Sequence, residues 1–305
     1  MRAVRFDAYG GLEVLQVREV DDPVASEGKV VVAVRAAAVN PADAFIRSGA
    51  ATAMFPVTFP SGQGTDLAGH VVAVGAGVSG FSIGDEVLGW TFERTAQAEL
   101  VAVPAGQLTA RPAALPWEVA GSLFTAPMTA FAAVRAIGPR PGETIGVSAA
   151  AGGVGSVAVQ LLRRAGAKVI GIAGQDNHAW LRAYDVTPVA YDTGLRERLA
   201  TAADGRLDAF IDTFGGGYVD LALDLGAPAE RINTLADIEA VRRHGVKFEG
   251  GADVATAENL AMMAGLVADA AIEIPIAATY PLDKVQDAYA QLDTRHVHGK
   301  VVLLP

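Results

Sequence analysis

The sequence predicts an α/β protein that combines a β-rich domain with a Rossmann-type domain containing a doubly wound parallel sheet. Three observations lead to this prediction. Short apolar strands broken by Gly, Pro and Asp fill the first third of the chain. From Glu143 onward, apolar strands alternate with amphipathic helical segments, as in a parallel sheet covered by helices. Between Ser148 and Ser156, small residues join a strand directly to a helix, which is typical of a dinucleotide-binding unit.

The first domain is predicted from its strand pattern, with strands at residues 29–35, 70–74, 86–90 and 98–103. A proline-punctuated segment follows, with a helix predicted from Trp117 to Ile137. Near the end of the chain the sequence predicts a strand at 272–276, a helix at 282–292 and a last strand at 300–304. A terminal strand often returns to an earlier sheet, so we assign residues 1–113 and 269–305 to the first domain.

The second domain is predicted to span residues 114–268. Its strands are expected at 144–148, 168–172 and 207–212, with helices at 154–164 and 178–184 between them.

Composition limits the possible partners. The 305 residues are 51% hydrophobic, and 34 acidic side chains against 24 basic ones give a formal charge of -10. This balance argues against a nucleic-acid surface, so a small molecule is the expected partner. The chain has no cysteine, which excludes disulfides, thiolate metal sites and cysteine nucleophiles. Neither a signal peptide nor a membrane span is predicted, and we expect a cytoplasmic protein.

The turn after the first strand of the second domain predicts phosphate binding. Gly152, Gly153 and Val154 lie where a helix begins, and a pyrophosphate can approach their backbone N–H groups closely. The first glycine of the usual G-x-G-x-x-G pattern is replaced by Ala150. The alternative is a tight strand-to-helix connection without a ligand.

The choice of cofactor is predicted from the end of the second strand of this domain. An acid that would bind the ribose hydroxyls of NAD is replaced there by Ala173, followed by Gly174. His178 is placed to reach a 2′-phosphate, although it could equally be an exposed residue at a helix start. Asp176 in the same loop favours NADH. We therefore predict NADP(H), with NAD(H) as the alternative.

With these motifs, the chain resembles the zinc-free quinone oxidoreductases of the medium-chain dehydrogenase/reductase superfamily, a group that includes zeta-crystallin. The resemblance runs nearly end to end and rests on residues 36–43, 64–75, 80–87, 150–155 and 299–303. It implies that the β-rich domain is a GroES-like catalytic domain completed by the C-terminal tail. It also implies a homodimer.

The same resemblance implies hydride transfer without a metal. Where the related zinc alcohol dehydrogenases place a metal-binding cysteine and a His-Glu pair, this chain has Asn40 and Thr65-Asp66. These residues cannot form the usual three-ligand zinc site. Quinones and α,β-unsaturated carbonyls accept hydride without a metal if hydrogen-bond donors stabilise the developing oxyanion.

Candidate donors in the catalytic site are Asn40 and Thr129. Either could instead be structural, Asn40 as a turn residue before a proline and Thr129 as a residue near a helix start. The same resemblance implies that the cofactor contacts Pro41, Thr129, Tyr191, Phe214, Gly215 and Phe248. Tyr191 and Phe248 could instead be ordinary core aromatics.

Three further side chains are expected to be structural. Asp43 is interpreted as a helix-capping acid, with a proton relay as the alternative, and Asp66 as the ion-pair partner of Arg47. Trp90 is interpreted as a packing residue, or as a residue that lines the acceptor pocket.

Two other functions remain open from the sequence. One is an enoyl-thioester or alkenal reductase, and the other is an NADPH-binding sensor or structural protein with little turnover. A strong proton donor would separate them, and no residue pattern identifies one.

Overall fold

The computed structural model describes all 305 residues, from Met1 to Pro305. The strands are β1 Arg2–Arg5, β2 Gln16–Glu19, β3 Lys29–Val39, β4 Asp66–Val74, β5 Glu86–Trp90, β6 Leu100–Pro104, β7 Leu108–Ala110, β8 Thr144–Val147, β9 Lys168–Ile172, β10 Val186–Val189, β11 Ala209–Asp212, β12 Ile232–Thr234, β13 Ile276–Pro281 and β14 Lys300–Leu304. The helices are α1 Pro41–Arg47, α2 Trp117–Ala120, α3 Thr125–Ile137, α4 Gly153–Arg164, α5 His178–Ala183, α6 Leu195–Ala202, α7 Tyr218–Asp224, α8 Ile238–His244, α9 Ala257–Ala268 and α10 Val285–Asp293. None of the helices is both long and apolar enough to cross a membrane.

The chain divides into two compact units, a division that the sequence predicts at different residues. Unit 1 contains residues 1–125, 256–271 and 275–305, and unit 2 contains residues 126–255 and 272–274. The predicted boundaries assigned 114–125 and 256–268 to the second domain. These residues belong to unit 1 because α2 packs against β3 and β4, and α9 packs against β7.

Unit 1 is built around a seven-stranded sheet and a separate two-stranded ribbon of β1 and β2. The sheet has the order β13-β14-β3-β4-β5-β7, with β6 also paired to β3. Its central strand β3 is rich in valine and alanine and largely buried, as β-branched residues favour strands that pack on both faces. Because β14 pairs with β3 through Val301 and Val39, the C-terminal tail completes this unit, as predicted.

Unit 2 has a five-stranded, entirely parallel sheet with the order β10-β9-β8-β11-β12. In sequence order this is 3-2-1-4-5, the arrangement of a Rossmann domain. Helices follow the strands, and the apolar side chains of helices and strands form one core cluster that includes Ile172, Leu199 and Phe210. The α/β class predicted from the alternating pattern is therefore confirmed.

The helix predicted from Trp117 to Ile137 is divided into α2 and α3. The break begins at Gly121, where a Cβ atom would lie 2.5 Å from the carbonyl oxygen of Ala36. At its other end, the backbone N–H groups of Phe124 and Thr125 donate to the carboxylate of Asp66. A side chain from β4 thus satisfies the donors at which α3 begins.

The strand predicted at 272–276 is wrong over its first residues, since β13 begins only at Ile276. The side-chain amide of Gln160 donates to the carbonyl oxygen of Glu273 at 3.0 Å and accepts from its N–H at 2.8 Å. These are the backbone groups that a neighbouring strand would need. Pro275 then interrupts the chain because it has no N–H to donate.

Candidate functional site

The phosphate-binding turn predicted after β8 leads directly into α4. Ala150 donates to the carbonyl oxygen of Ile172 at 2.9 Å, and Gly152 donates to that of Ala149 at 2.9 Å. Ala149 has a left-handed φ of 43°, which folds the backbone sharply back toward the helix. A Cβ atom on Gly155 would lie 2.2 Å from the Ala149 oxygen, so the turn and α4 touch at this glycine.

Loops after parallel strands meet at one edge of a sheet, and unit 2 brings most of the predicted cofactor residues to that edge. Gly152 and Gly153 follow β8, Gly174 and His178 follow β9, Tyr191 follows β10, and Phe214 and Gly215 follow β11. Tyr191 lies beside Gly174, since a Cβ on Gly174 would lie 3.6 Å from the tyrosine ring. The rings of Tyr191 and Phe214 are about half exposed.

The loop that follows β9 carries the residues on which the choice of cofactor depends. Ala173 is buried, and its carbonyl oxygen lies 3.2 Å from Nε2 of His178. His178 is half-buried at the start of α5, whereas Asp176 is exposed within a short 3-10 turn. The acid is therefore the more solvated of the two titratable side chains in this loop.

Asp212, to which the sequence assigns no role, organises the adjoining loop. Its carboxylate is fully buried at the end of β11. It accepts hydrogen bonds from the hydroxyls of Ser148 at 2.7 Å and Thr234 at 2.8 Å, and from the backbone N–H groups of Phe214 and Gly215. The ends of β8, β11 and β12 are therefore joined through one side chain.

Two predicted residues that belong to unit 2 lie outside these loops. The hydroxyl of Thr129, on α3, accepts a hydrogen bond from the N–H of Gly251 at 3.2 Å. Phe248 is about half exposed and precedes Glu249, whose backbone is held on both sides by the amide of Asn233. The Asn233 amide thus fixes the backbone that presents the Phe248 ring.

Asn40 and Pro41 belong to unit 1, where Asn40 is the centre of a buried polar network. Its Nδ2 donates to Asp66 at 2.7 Å, and its Oδ1 accepts from the ammonium of Lys300. Asn40, Asp66 and Lys300 are at most 3% exposed. Pro41 is the first residue of α1, where its missing N–H costs nothing, and it is exposed.

The charges of this network perturb one another. Burial raises the pKa of Asp43 to about 7, and the negative charge of Asp66 adds to that effect. Burial lowers the pKa of Lys300, while the two aspartates oppose that shift. Asp43 also accepts from the backbone N–H of Asn40 at 3.0 Å, as expected of a capping acid on α1.

The predicted ion pair between Asp66 and Arg47 is wrong. Both oxygens of Asp66 are occupied by Asn40, by the N–H groups at the start of α3 and by the hydroxyl of Thr125. The guanidinium of Arg47 lies instead over the ring of Tyr289, 4.9 Å from its centroid. Such a contact gives a buried cation a favourable electrostatic partner.

Trp90 has the packing role that the sequence allowed for it. Its ring is 2% exposed and stacks on Phe124 with centroids 4.4 Å apart. Phe92 packs edge-on against both rings and is itself 53% exposed. The exposed aromatic surface of this cluster therefore belongs to Phe92, which the sequence analysis did not single out.

Comparison with known proteins gives matches over the whole chain. Residues 26–123 match the family described as alcohol dehydrogenase GroES-like domain, and residues 183–303 match zinc-binding dehydrogenase. A chloroplast envelope quinone oxidoreductase homolog of Arabidopsis thaliana is 29% identical, over 100% of this chain and 98% of its own length.

Two solved structures are similar throughout. Quinone oxidoreductase of Escherichia coli, in complex with NADPH, has a TM-score of 0.89 and 26% identity, with 100% of both chains covered. An NAD-dependent alcohol dehydrogenase has a TM-score of 0.88 and 26% identity, again with 100% of both chains covered. The similar structures therefore include proteins described with each of the two nicotinamide cofactors.

The residues of this chain do not fit the zinc that the second family description names. Asn40 and Asp66 offer one amide oxygen and one carboxylate, and both are already committed to hydrogen bonds. The ammonium of Lys300 lies against the amide oxygen, so a divalent cation beside it would be repelled. Zinc sites also need three or four deprotonated N, S or O ligands, and the chain has no cysteine to supply thiolates.

Proposed function

This chain belongs to the medium-chain dehydrogenase/reductase superfamily, and on that premise we propose that it is an NADPH-dependent, zinc-independent oxidoreductase acting on quinones or α,β-unsaturated carbonyls. It is an oxidoreductase, with full-length relatives among quinone oxidoreductases. The observation that carries the proposal is the glycine turn at the carboxyl edge of the unit 2 sheet, which leads directly into α4.

The residues present fit a dinucleotide. The N–H groups of Gly153 and Val154 lie at the positive end of α4, a twelve-residue helix, and would hold the pyrophosphate. The N–H of Gly152 is bonded to Ala149, so Gly152 would contribute room for the pyrophosphate to approach the backbone. We assign the adenosine end to Gly174, His178 and Tyr191, and the adjoining ribose to Phe214 and Gly215. We assign the nicotinamide end to Pro41, Thr129 and Phe248.

The preference for NADPH is supported by what stands beside Gly174. No acid follows β9 directly, Asp176 is turned to solvent, and the half-buried ring of His178 is next to the Ala173 carbonyl. We assign to the ring of His178 the contact with the 2′-phosphate that distinguishes NADPH from NADH.

A bound nicotinamide would supply the hydride and solvent the proton, so the chain would have to orient the acceptor and stabilise the charge that develops on its oxygen. We assign that task to Asn40 and Thr129. Lys300 and Asp66 hold the amide of Asn40 from both ends, so its orientation is fixed before any ligand binds. Donors that need no reorganisation are the ones that lower a barrier most.

Loss of NADPH absorbance tests this proposal with 1,4-benzoquinone, 9,10-phenanthrenequinone and a simple enone as acceptors. The assays are repeated with NADH, and again after treatment with a chelator. We expect turnover that prefers NADPH and is insensitive to the chelator. Loss of activity on chelation would contradict the zinc-independent mechanism. Tight NADPH binding without turnover on any acceptor would favour the sensor or structural alternative.

We further propose that the protein is a homodimer, by analogy with the group that it resembles. Light scattering coupled to size-exclusion chromatography checks this directly, since a mass equal to one chain would contradict it.

A further inference from the structure

Asp212 is a buried carboxylate whose position in unit 2 is unusual for a charged residue. It ends the interior strand β11, which lies between β8 and β12, and is fully buried. Its oxygens accept from Ser148 Oγ at 2.7 Å, Gly215 N at 2.9 Å, Phe214 N at 3.1 Å and Thr234 Oγ1 at 2.8 Å. Every donor comes from the carboxyl edge of the sheet.

The charge of this carboxylate has to be compensated, because a buried ion without donors costs several kcal/mol. Four protein groups supply that compensation, and hydrogen bonds to an ionised acceptor are about twice as strong as neutral ones. An apolar residue would end a buried strand without any such requirement. The donors that Asp212 organises are therefore a better explanation of its presence than the packing of β11.

These bonds join the two loops that border the point where the strand order reverses. Ser148 immediately precedes the phosphate-binding turn, and Phe214 and Gly215 form the loop after β11. The two loops are tied a second time, because the N–H of Thr213 donates to Ser148 Oγ at 2.8 Å and its hydroxyl donates to the Ser148 carbonyl at 2.7 Å. Ligands of open parallel sheets bind at such a reversal point.

The carboxylate also determines which backbone donors remain for an anion. Because the N–H groups of Phe214 and Gly215 are used by Asp212, they are not available to a phosphate. The N-terminal turn of α4 is then the anion site at this edge. The φ angles of Gly215, Gly216 and Gly217 are 82°, 70° and 91°, a left-handed run that is costly to order and that Asp212 anchors at its first residue.

We propose that Asp212 is a positioning residue for the dinucleotide: it locks the phosphate-binding turn to the loop after β11 and thereby sets the affinity for the cofactor. This inference rests on the proposed function, because it takes the dinucleotide to bind at the carboxyl edge of unit 2. Asp212 acts through Ser148, Phe214 and Gly215, and does not itself contact the cofactor.

The test uses Asp212→Asn with a matched control at the other end of the same strand. Asp208 precedes β11, and its carboxylate accepts from the N–H of Thr144 at 2.8 Å at the start of β8. Asp208→Asn therefore makes the same chemical change between the same two strands, at the opposite edge of the sheet. A second variant, Ser148→Ala, keeps the carboxylate and removes one of its donors.

Two measurements are made on each purified full-length variant. The Kd of NADPH is determined by calorimetric titration, and hydrogen exchange of residues 213–217 is followed without cofactor. For Asp212→Asn we expect a Kd raised about tenfold or more, since its amide presents N–H groups to donors. Exchange at Phe214 and Gly215 should accelerate, while kcat at saturating NADPH stays within about threefold of the wild type. Ser148→Ala should show a smaller increase in Kd, and Asp208→Asn none.

A wild-type Kd of NADPH in Asp212→Asn would overturn the inference. An equal increase in the Kd of Asp208→Asn would overturn it as well. If Asp212→Asn does not fold, Ser148→Ala decides, and an unchanged Kd in that variant overturns the inference. All titrations are repeated with NADH, so that a chain selective for NADH contradicts the proposed cofactor while Asp212 is still tested. Binding without turnover would likewise refute the proposed reaction and leave the Asp212 result standing.

Discussion

Alanine substitutions at Gly155 and Gly152 should separate the packing of the phosphate-binding turn from its affinity for the cofactor. A Cβ on Gly155 would lie 2.2 Å from the oxygen of Ala149 and 2.8 Å from the Cα of Ala150, closer than real Cβ atoms pack. Both obstacles are backbone atoms, so no side chain can move aside. Overpacking of this kind costs about 2 kcal/mol or more, which for a unit of this size lowers Tm by roughly 4–8 °C.

Gly152→Ala should behave in the opposite way. Its φ of -75° suits any residue, and its Cβ would meet only the Ala149 oxygen, at 3.3 Å. We expect a stability loss below about 1 kcal/mol, as for alanine at a helix N-cap. The methyl group would stand where a pyrophosphate approaches the backbone, so the Kd of NADPH should rise about tenfold.

Differential scanning calorimetry and NADPH titration of both variants give the two quantities independently. A wild-type Tm for Gly155→Ala would show that the turn and α4 are not in close contact. Wild-type NADPH affinity for Gly152→Ala, in a folded protein, would show that the phosphate is held elsewhere.

Three further predictions concern single side chains. Burial and the charge of Asp66 raise the pKa of Asp43 to about 7, so between pH 3.8 and about 7 the folded protein keeps a proton that the unfolded chain has released. The free energy of unfolding therefore falls as pH rises through this range. The Tm of Asp43→Asn should therefore rise relative to that of the wild type between about pH 5 and about pH 8. A Tm difference that does not depend on pH would contradict this. Gly174→Asp should lower kcat/KM for NADPH more than tenfold relative to Gly174→Ala, with less effect on kcat/KM for NADH. The Cβ fits beside Tyr191, but the negative charge of the new side chain would repel a 2′-phosphate. Equal losses with both cofactors would refute the assignment of Gly174 to the adenosine end of NADPH. Lys300→Met should cost about 3 kcal/mol in urea unfolding, because it leaves the buried amide oxygen of Asn40 without its donor and removes the positive charge that offsets Asp66 and Asp43. A loss below about 1 kcal/mol would show that the ammonium does not stabilise this network.

The regular elements could be predicted from the sequence because their signals are local. The alternation of apolar strands and amphipathic helices from Glu143 onward predicts β8, α4 and β9 almost to the residue. The errors fall where distant groups override the local pattern. Asp66 ends the break before α3, and Gln160 holds Glu273 away from strand pairing, each from far along the chain.

The candidate site was predictable to the extent that it follows the strands. Residues placed by the glycine turn and by strand ends lie at the expected edge of the unit 2 sheet. The buried network of Asn40, Asp66 and Lys300 was not predicted, because its members are separated by up to 260 positions and meet only when β14 pairs with β3. One sequence signal could have indicated these buried charged residues, namely a charged residue at the end of an apolar strand. Lys300 before Val301 and Asp212 after Ile211 are the two examples.

The one departure from the glycine pattern shows what such a pattern specifies physically. Ala150 stands where a glycine is usual, and its methyl group is accommodated because the facing residue on β9 is Gly171, where a Cβ would lie 2.9 Å from the Cβ of Ala150. The position that must lack a side chain is therefore Gly171 on β9, and no longer residue 150 in the turn. Gly155 allows no such exchange, since the atom that it faces is a carbonyl oxygen of the turn itself. A glycine that faces backbone atoms therefore cannot be replaced, whereas a glycine that faces a side chain can be replaced if the facing residue becomes smaller.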